Sequence, residues 1–185
     1  MADSIITDTA TRIFQDLCGA DTVNAAEKGA WPAALWDALE ESGLPLTWVG
    51  DEYGGAGAEI ADGFAVLRVA GRFAVPVPLA ETLLAGWLLA AAGIAAPPGP
   101  MTVAPVHEDG SIAVGADGRL SGRARHVPFA RNAGHIALVA RRGGDSVVAL
   151  AAAKGLAITP GVGLSGEPRD TVSFDGAAAL DVKPA

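Results

Sequence analysis

Apolar side chains recur every three or four residues through the first half of the chain, the spacing that places them on one face of an α-helix. The stripes run over residues 6–17, 31–39, 60–71 and 83–91. Gly43 follows the second stripe, at the position where a left-handed residue commonly ends a helix. A glycine-rich loop at residues 50–57 separates the second stripe from the third. The pattern therefore predicts a helical first half.

The second half of the chain alternates short apolar runs with turn residues. The runs cover residues 101–106, 111–114, 135–140, 147–151 and 171–174. Turn signals separate them at residues 108–110, 116–118 and 143–145. The first two signals contain Asp-Gly, which is a strong hairpin signal between extended segments. Regular short strands joined in this way predict a small antiparallel β-barrel or sandwich.

A proline-rich segment at residues 96–100, Ala-Pro-Pro-Gly-Pro, divides the two halves. Neither a helix interior nor a central strand tolerates such a run of prolines. We therefore predict an α+β chain of two domains, a helical domain at residues 1–98 and a small antiparallel β-barrel domain at residues 99–185.

The charge balance of the chain is acidic, because 13 Lys and Arg residues stand against 21 Asp and Glu residues and give a net charge of −8. Nucleic acids and anionic membranes select a basic face, so neither is predicted as a partner. The longest apolar run, residues 83–96, is shorter than the roughly 20 residues that span a bilayer and predicts a buried core helix. Cys18 is the one cysteine, which fits a reducing compartment, and we expect a cytoplasmic protein.

The chain contains several short sequence motifs, and the order in which they follow one another is informative. In the first half they are Leu35-Trp-x-x-Leu39, Gly43-Leu44, Glu52-Tyr-Gly-Gly-x-Gly57, Gly71-Arg72 and Pro76-Val-Pro-Leu-Ala-Glu-Thr82. In the second half they are Leu120-Ser-Gly122, Val127-Pro-Phe-Ala-Arg131 and Thr171-Val-Ser-Phe-Asp175. This order resembles the N-terminal helical domain and the middle β-barrel domain of acyl-CoA dehydrogenases. The resemblance covers nearly the whole chain.

The resemblance implies a flavoprotein that uses FAD to dehydrogenate an acyl-CoA thioester between Cα and Cβ and passes its electrons to electron-transfer flavoprotein. It also implies a homo- or hetero-oligomer with an acyl-CoA dehydrogenase-like chain. The C-terminal helical bundle of the family, which carries the catalytic glutamate, is absent from this sequence, which ends at Ala185. We therefore assign no catalytic residue to this chain, and we expect the base from a missing C-terminal domain or from a partner subunit.

The resemblance also assigns six flavin-contacting positions on two strands. They are Thr102, Val103, Ala104, Val127, Pro128 and Phe129. Val103 and Ala104 stand where the family usually has a threonine and a glutamate, and the second strand lacks the hydroxyl expected near the flavin edge. These departures leave an alternative open, in which the chain is a non-catalytic partner subunit of a heteromeric acyl-CoA dehydrogenase that has lost its own flavin contacts. A third interpretation is an unrelated binding domain of helices and a barrel.

Four further residues are assigned to the substrate. Tyr53, Gly54 and Gly55 belong to a loop that in the family lies near the acyl cavity, and the alternative is that its glycines only reverse the chain. Arg131 lies in a cluster of six arginines and is suited to bind a phosphate of CoA or flavin through two hydrogen bonds. The alternative for this cluster is a set of outward positions on strands.

Two kinds of titratable residue complete the candidates. Glu81 is the one carboxylate in an apolar context, and it is either a base or a group that hydrogen-bonds backbone beside Pro78 and Thr82. The three histidines lack the cysteine or carboxylate neighbours that a metal site requires, so no metal is predicted.

Overall fold

The structure is a computed structural model that describes residues 3–106 and 112–185. The turn signal at residues 108–110, the first residue of the run at 111–114, and His107 lie outside the described residues. The helices of the first half are α1 Asp3–Leu17, α2 Ala20–Glu27, α3 Ala33–Glu41, α4 Ile60–Arg72 and α5 Leu79–Ala91. Two single 3₁₀ turns, Leu44–Leu46 and Asp51–Tyr53, connect α3 to α4.

The helical core forms from the stripes that the sequence predicts. Phe14 of α1, Leu39 of α3 and Val66 of α4 are fully buried in one cluster. Burial of large apolar side chains of this kind contributes about 1.5–3 kcal/mol each. Gly43 has the predicted left-handed conformation, with φ 72°. Helix α2 was not predicted, because none of its residues is buried and it carries no strong apolar stripe.

Short strands follow the linker in the second half. Within the described residues they are β1 Met101–Ala104, β2 Ala113–Val114, β3 Arg119–Ser121, β4 Arg123–Pro128, β5 His135–Arg142, β6 Asp145–Ala152, β7 Ala157–Thr159, β8 Arg169–Ser173, β9 Ala177–Ala178 and β10 Asp181–Pro184. Their inner faces enclose a second apolar cluster around Leu120, Ile136 and Phe174.

The predicted α+β class is confirmed, and the strands that the structure describes form two sheets with some parallel pairs rather than a closed barrel. The strands form a seven-stranded sheet in the order β10-β6-β5-β2-β3-β9, with β1 beside β5, and a three-stranded sheet in the order β4-β8-β7. β1 and β2 lie parallel to β5. Turn signals report on hairpins between consecutive strands, such as β5 and β6, so parallel pairing between distant strands leaves no local signal.

Helix α5 joins the helical half to the strands. The hydroxyl of Thr82 accepts a hydrogen bond from the Met101 amide of β1 at 3.0 Å and donates to the Pro78 carbonyl oxygen at 2.7 Å. Ala85 and Leu89 pack with Met101 in a third apolar cluster. These contacts fix the start of α5 against the sheet.

The outer face of α5 is also apolar. The helix has 13 residues and only Glu81 and Thr82 are polar. Leu84 and Trp87 on its outer face are 41% and 45% exposed. A helix that is apolar on all sides is normally covered on all sides, so these two residues mark an uncovered apolar stripe. None of the helices in the described ranges has both the length and the apolar character needed to cross a membrane.

Candidate functional site

A groove of about 610 Å³ lies between the helical half and the strands. On the helical side it is lined from segments 23–31 and 67–81, and on the strand side from segments 129–132 and 162–168. Val23, Trp31, Leu67 and Phe129 are among its apolar lining residues. A volume of this size is typical of small-molecule sites. The lining also includes the charged residues Glu27, Glu81, Arg131 and Glu167.

Two non-glycine residues in the groove wall have left-handed backbones. Ala74, which follows α4, has φ 48°, and Phe129, which follows β4, also has φ 48°. The Phe129 amide donates to the Pro168 carbonyl oxygen at 3.2 Å, which ties the turn to the opposite segment of the strand side. Backbone strain of this kind costs on the order of 1–3 kcal/mol at each residue and clusters at functional sites. Strain on both walls therefore supports the groove as the candidate site.

Glu81 brings a carboxyl group into the groove from the first turn of α5. Burial raises the pKa of Glu81 above its ordinary value, while a hydrogen bond to its own backbone and the charge of Arg169 act in the opposite direction. The nearby charge of Glu167 raises this pKa further. The hydrogen bond to backbone agrees with the structural alternative given for Glu81, and burial favours the protonated form of the carboxyl.

Arg131, which the sequence assigned to the substrate, lines the groove with its guanidinium held by Asp170. Its Nε donates to Asp170 Oδ1 at 3.0 Å, its backbone amide donates to Oδ2 at 2.9 Å, and its Nη2 donates to the Gly161 carbonyl oxygen at 2.6 Å. The Gly161 amide donates to Asp170 Oδ1 at 3.1 Å. Much of the hydrogen-bonding capacity of Arg131 is therefore used within the chain.

Asp170 is fully buried, and it was not among the predicted site residues. Burial raises the pKa of its carboxyl, but the hydrogen bonds from Arg131 and from the Gly161 amide outweigh that effect and hold the pKa below its ordinary value. The sequence does carry a signal for it, because Asp170 alternates along the strand with the apolar residues Val172 and Phe174. The structure shows all three buried. A charged residue at an inward position of a strand requires a partner.

The six predicted flavin positions fall on neighbouring strands, β1 and β4, and the residue that follows β4. The Thr102 hydroxyl donates to the Pro128 carbonyl oxygen at 2.6 Å, which joins the two stretches directly. Thr102, Ala104, Val127 and Pro128 are buried, whereas Val103 and Phe129 are half-buried. Of the six residues, only Thr102 has a polar side chain, and its hydroxyl is already hydrogen-bonded to the chain's own backbone. These side chains do not fit the polar edge of a flavin.

The structure does not bring the three loop residues to the groove. Tyr53 lies near the C-terminal end of α5, where a Cβ on Gly93 would be 3.6 Å from its hydroxyl. The groove lies at the opposite end of α5, about 20 Å away for a helix of this length. Gly54 has φ 84°, and a Cβ on Gly55 would lie 2.1 Å from the Val49 carbonyl oxygen. Both positions therefore require glycine to reverse the chain, and the four substrate assignments do not form one site in this chain.

Among residues 3–106 and 112–185, no group of three or more His, Cys, Asp or Glu side chains is placed to hold a metal ion.

Comparison with known families decides the family of the chain. The family model for the N-terminal domain of acyl-CoA dehydrogenases matches residues 3–96. The chain belongs to the acyl-CoA dehydrogenase family. Comparison with curated proteins finds no match. Family membership removes the interpretation of an unrelated binding domain.

Solved structures share this fold over nearly the whole chain. A variant of the Tcur3481-Tcur3483 steroid acyl-CoA dehydrogenase is 24% identical, with a TM-score of 0.84, and the match covers 100% of this chain and 57% of that one. The ChsE4-ChsE5 complex from Mycobacterium tuberculosis is 21% identical, with a TM-score of 0.81, and the match covers 97% and 55%.

A third structure shows that the fold also serves other chemistry. TdsC, a dibenzothiophene monooxygenase from Paenibacillus solved with FMN and indole, is 16% identical, with a TM-score of 0.71 and coverage of 97% and 53%. The chain thus spans little more than half the length of these relatives, and at such identities the likeness shows the fold alone.

Proposed function

We propose that the chain is a component of a flavin-dependent acyl-CoA dehydrogenase that converts an acyl-CoA thioester to the α,β-unsaturated thioester. The observation that carries this proposal is an apolar groove between the helical and strand halves of a chain that belongs to this family. We propose FAD as the flavin and electron-transfer flavoprotein as the electron acceptor. The steroid acyl-CoA dehydrogenase with the same fold supports the dehydrogenase reaction over monooxygenation.

The role of this chain is to bind and orient the acyl group. The groove presents apolar side chains such as Val23, Leu67 and Phe129, which bury a hydrocarbon chain at about 25 cal/mol per Å². A bound acyl group would displace water from the groove, which would strengthen electrostatic interactions there. The base that removes the proton from Cα is proposed to come from outside this chain.

A bound flavin would supply the hydride acceptor that the dehydrogenation of the Cα–Cβ bond requires. In this chain we propose that the backbone of Val103 and Ala104 hydrogen-bonds the flavin edge and that Phe129 packs near the ring. Thr102 contributes by holding β1 to β4 through its bond to the Pro128 carbonyl oxygen.

A partner chain is part of the proposal. The uncovered stripe of Leu84 and Trp87 on α5 supports a covering subunit or domain. Trp is frequent among residues that dominate protein interfaces. A chain of the ChsE4-ChsE5 complex has this fold, which supports a partner chain for this protein as well.

A second candidate function has its own observation. The Thr102 hydroxyl already donates to the Pro128 carbonyl oxygen, and the other five predicted flavin positions carry apolar side chains. This favours a partner subunit that supplies the acyl groove while the flavin is held by the other chain.

Flavin content separates the two candidates. The chain is purified alone and together with a co-expressed acyl-CoA dehydrogenase partner, and the ratio of flavin to protein is measured by absorbance. Flavin bound to the chain alone supports the first candidate, whereas a colourless chain and a yellow complex support the second. A complex without flavin contradicts both.

A further inference from the structure

We propose that helix α2 is a movable wall of the groove, and that its displacement admits acyl groups wider than an unbranched hydrocarbon chain. Acyl-CoA as the ligand rests on the proposed function. The displacement itself involves residues of this chain alone, so it can be tested without a flavin or a partner.

Helix α2 is weakly attached to the rest of the chain. None of its eight residues is buried. Val23 is half-buried against the helical core, and the Thr22 hydroxyl donates to the Leu17 carbonyl oxygen of α1 at 3.1 Å. By contrast, α1, α3, α4 and α5 each have at least one fully buried side chain. Segments with few buried apolar contacts open locally at the lowest cost in free energy. Among these five helices, α2 is therefore the one that is displaced most easily.

Glycines flank α2 at both of its ends. Gly19 precedes the helix with an extended backbone, and no side chain caps the helix there. Gly29 follows it with φ 91°, a conformation that residues with a side chain rarely adopt. Hinges consist of a few residues beside an element that absorb the change in backbone angles. The helix can therefore swing about its two ends while its internal hydrogen bonds stay intact.

Space for this displacement lies behind the helix. The groove is lined from α2 by Val23, Ala26 and Glu27. A second hollow of about 350 Å³ is lined from α2 by Asp21, Thr22 and Ala25. At 3.6 residues per turn these two sets lie on opposite faces of the helix. Ala30 and Trp31 line both spaces, so α2 separates two neighbouring cavities. Movement of α2 into the second hollow would widen the groove.

The facing wall of the groove is held more firmly. The buried Asp170 carboxylate accepts hydrogen bonds from the backbone amides of Arg131 at 2.9 Å and Gly161 at 3.1 Å. The Gly163 amide donates to the Glu167 carbonyl oxygen at 2.9 Å, which closes the segment at residues 162–168 on itself. A ligand too wide for the groove would therefore displace α2 and leave the strand side in place. A ring-bearing acyl group is wider than its unbranched isomer and is the class of ligand that this wall accommodates.

The test fills the second hollow without changing the lining of the groove. Ala25→Leu places a larger side chain in the hollow, and Ala61→Leu, at an exposed position of α4 outside both cavities, is the matched control. Hydrogen exchange of the α2 amides is measured in the full chain and in both variants. Binding of nonanoyl-CoA and of cyclohexylpropanoyl-CoA, whose acyl groups have equal numbers of carbon atoms, is compared by calorimetry.

In the unmodified chain the α2 amides should exchange at least about tenfold faster than those of α3. Ala25→Leu should slow their exchange about tenfold, because a leucine in the hollow gives α2 a buried apolar contact. The same variant should weaken cyclohexylpropanoyl-CoA about tenfold and leave nonanoyl-CoA nearly unchanged, since α2 can no longer yield to the ring. Ala61→Leu should change neither the exchange nor the two affinities.

Failure of this inference and failure of the proposed function give different results. If neither thioester binds, the acyl-CoA function fails, and slower α2 exchange in Ala25→Leu still supports the movable wall. If α2 exchanges as slowly as α3, or if Ala25→Leu leaves its exchange unchanged, the inference is wrong. If both thioesters bind and Ala25→Leu affects them equally, the proposed function stands and the inference alone is overturned.

Discussion

Asp170 accepts hydrogen bonds from Arg131 and Gly161 without exposing any of its own surface. These bonds connect the turn after β4 to the start of β8 and thereby fix the strand side of the groove. Removing one partner of a buried ion pair typically costs 3–5 kcal/mol, because the remaining charge is left uncompensated. Asp170 therefore contributes both to the shape of the groove and to the stability of the strand half.

We expect Asp170→Asn to lower the free energy of unfolding at neutral pH by up to about 3 kcal/mol, less than for a fully buried pair because the Arg131 side chain is 34% exposed. The substitution should also change the response to acid. The pKa of Asp170 is lower in the folded chain than in the unfolded one, so its contribution is present above a pH of about 4 and is lost as the pH falls through the lower folded value. Urea unfolding as a function of pH measures both effects.

Asp175→Asn is the control for this prediction, because Asp175 is exposed and bonds only to the Ser173 hydroxyl among the described contacts. It should change the stability by less than about 1 kcal/mol. If the two variants lose stability equally, or if Asp170→Asn keeps the full acid dependence, the buried pair does not have the role described.

At the level of single residues, the role of a residue type could be predicted from the sequence, whereas the residue that it contacts could not. Gly43 was predicted correctly because a left-handed helix end follows from local sequence. Arg131 was assigned to a ligand, while its partner Asp170 lies 39 residues away and was not visible from spacing. The hydrogen bond of the Thr102 hydroxyl to β4 was equally invisible from spacing. The pairing of segments far apart in the sequence decides which polar groups are hydrogen-bonded.

At the level of elements, α5 connects the groove, the sheet and the proposed partner. Its Thr82 hydroxyl satisfies the Met101 amide at the edge of β1. We expect Thr82→Val to lower the free energy of unfolding by about 1–3 kcal/mol, because that buried amide loses its hydrogen-bond acceptor. Thr11→Val, which removes a hydroxyl bond within α1 only, is the matched control and should cost less. Equal losses in urea unfolding would contradict a special role for the α5–β1 contact.

The outer stripe of α5 allows a second prediction at this scale. Trp87→Ser should weaken association with the dehydrogenase partner at least tenfold, because interface tryptophans often contribute 2 kcal/mol or more. It should leave the unfolding midpoint nearly unchanged, since the side chain is already 45% exposed. Ile5→Ser, at a residue of α1 that is 74% exposed, is the control. Sedimentation velocity that shows the same assembly for all three chains would contradict the assignment of this stripe to an interface.

The periodicity of the sequence predicted α1, α3, α4 and α5 because each has a buried face. It missed α2, which buries no residue, and it missed the parallel pairing of β1 with β5. Both failures have one physical origin. Local patterns report on which side of an element is apolar, whereas tertiary contacts decide which elements become neighbours.

At the scale of the whole molecule, the chain forms two packed halves with a groove between them. The order of motifs gave the family, and the family model for residues 3–96 confirms it. The groove itself could not be predicted, because its walls come from segments far apart in the sequence, such as 23–31 and 162–168. The proposed reaction depends on this shape and on a base and a flavin held with the help of another chain.

The most direct test of the proposed function is anaerobic reduction of the flavin by acyl-CoA in the complex of this chain with its partner. We predict that the oxidised flavin absorbance is lost when acyl-CoA is added, and that the unsaturated thioester forms in equal amount. A flavin that stays oxidised with every acyl-CoA tested would contradict the assignment of this chain to an acyl-CoA dehydrogenase.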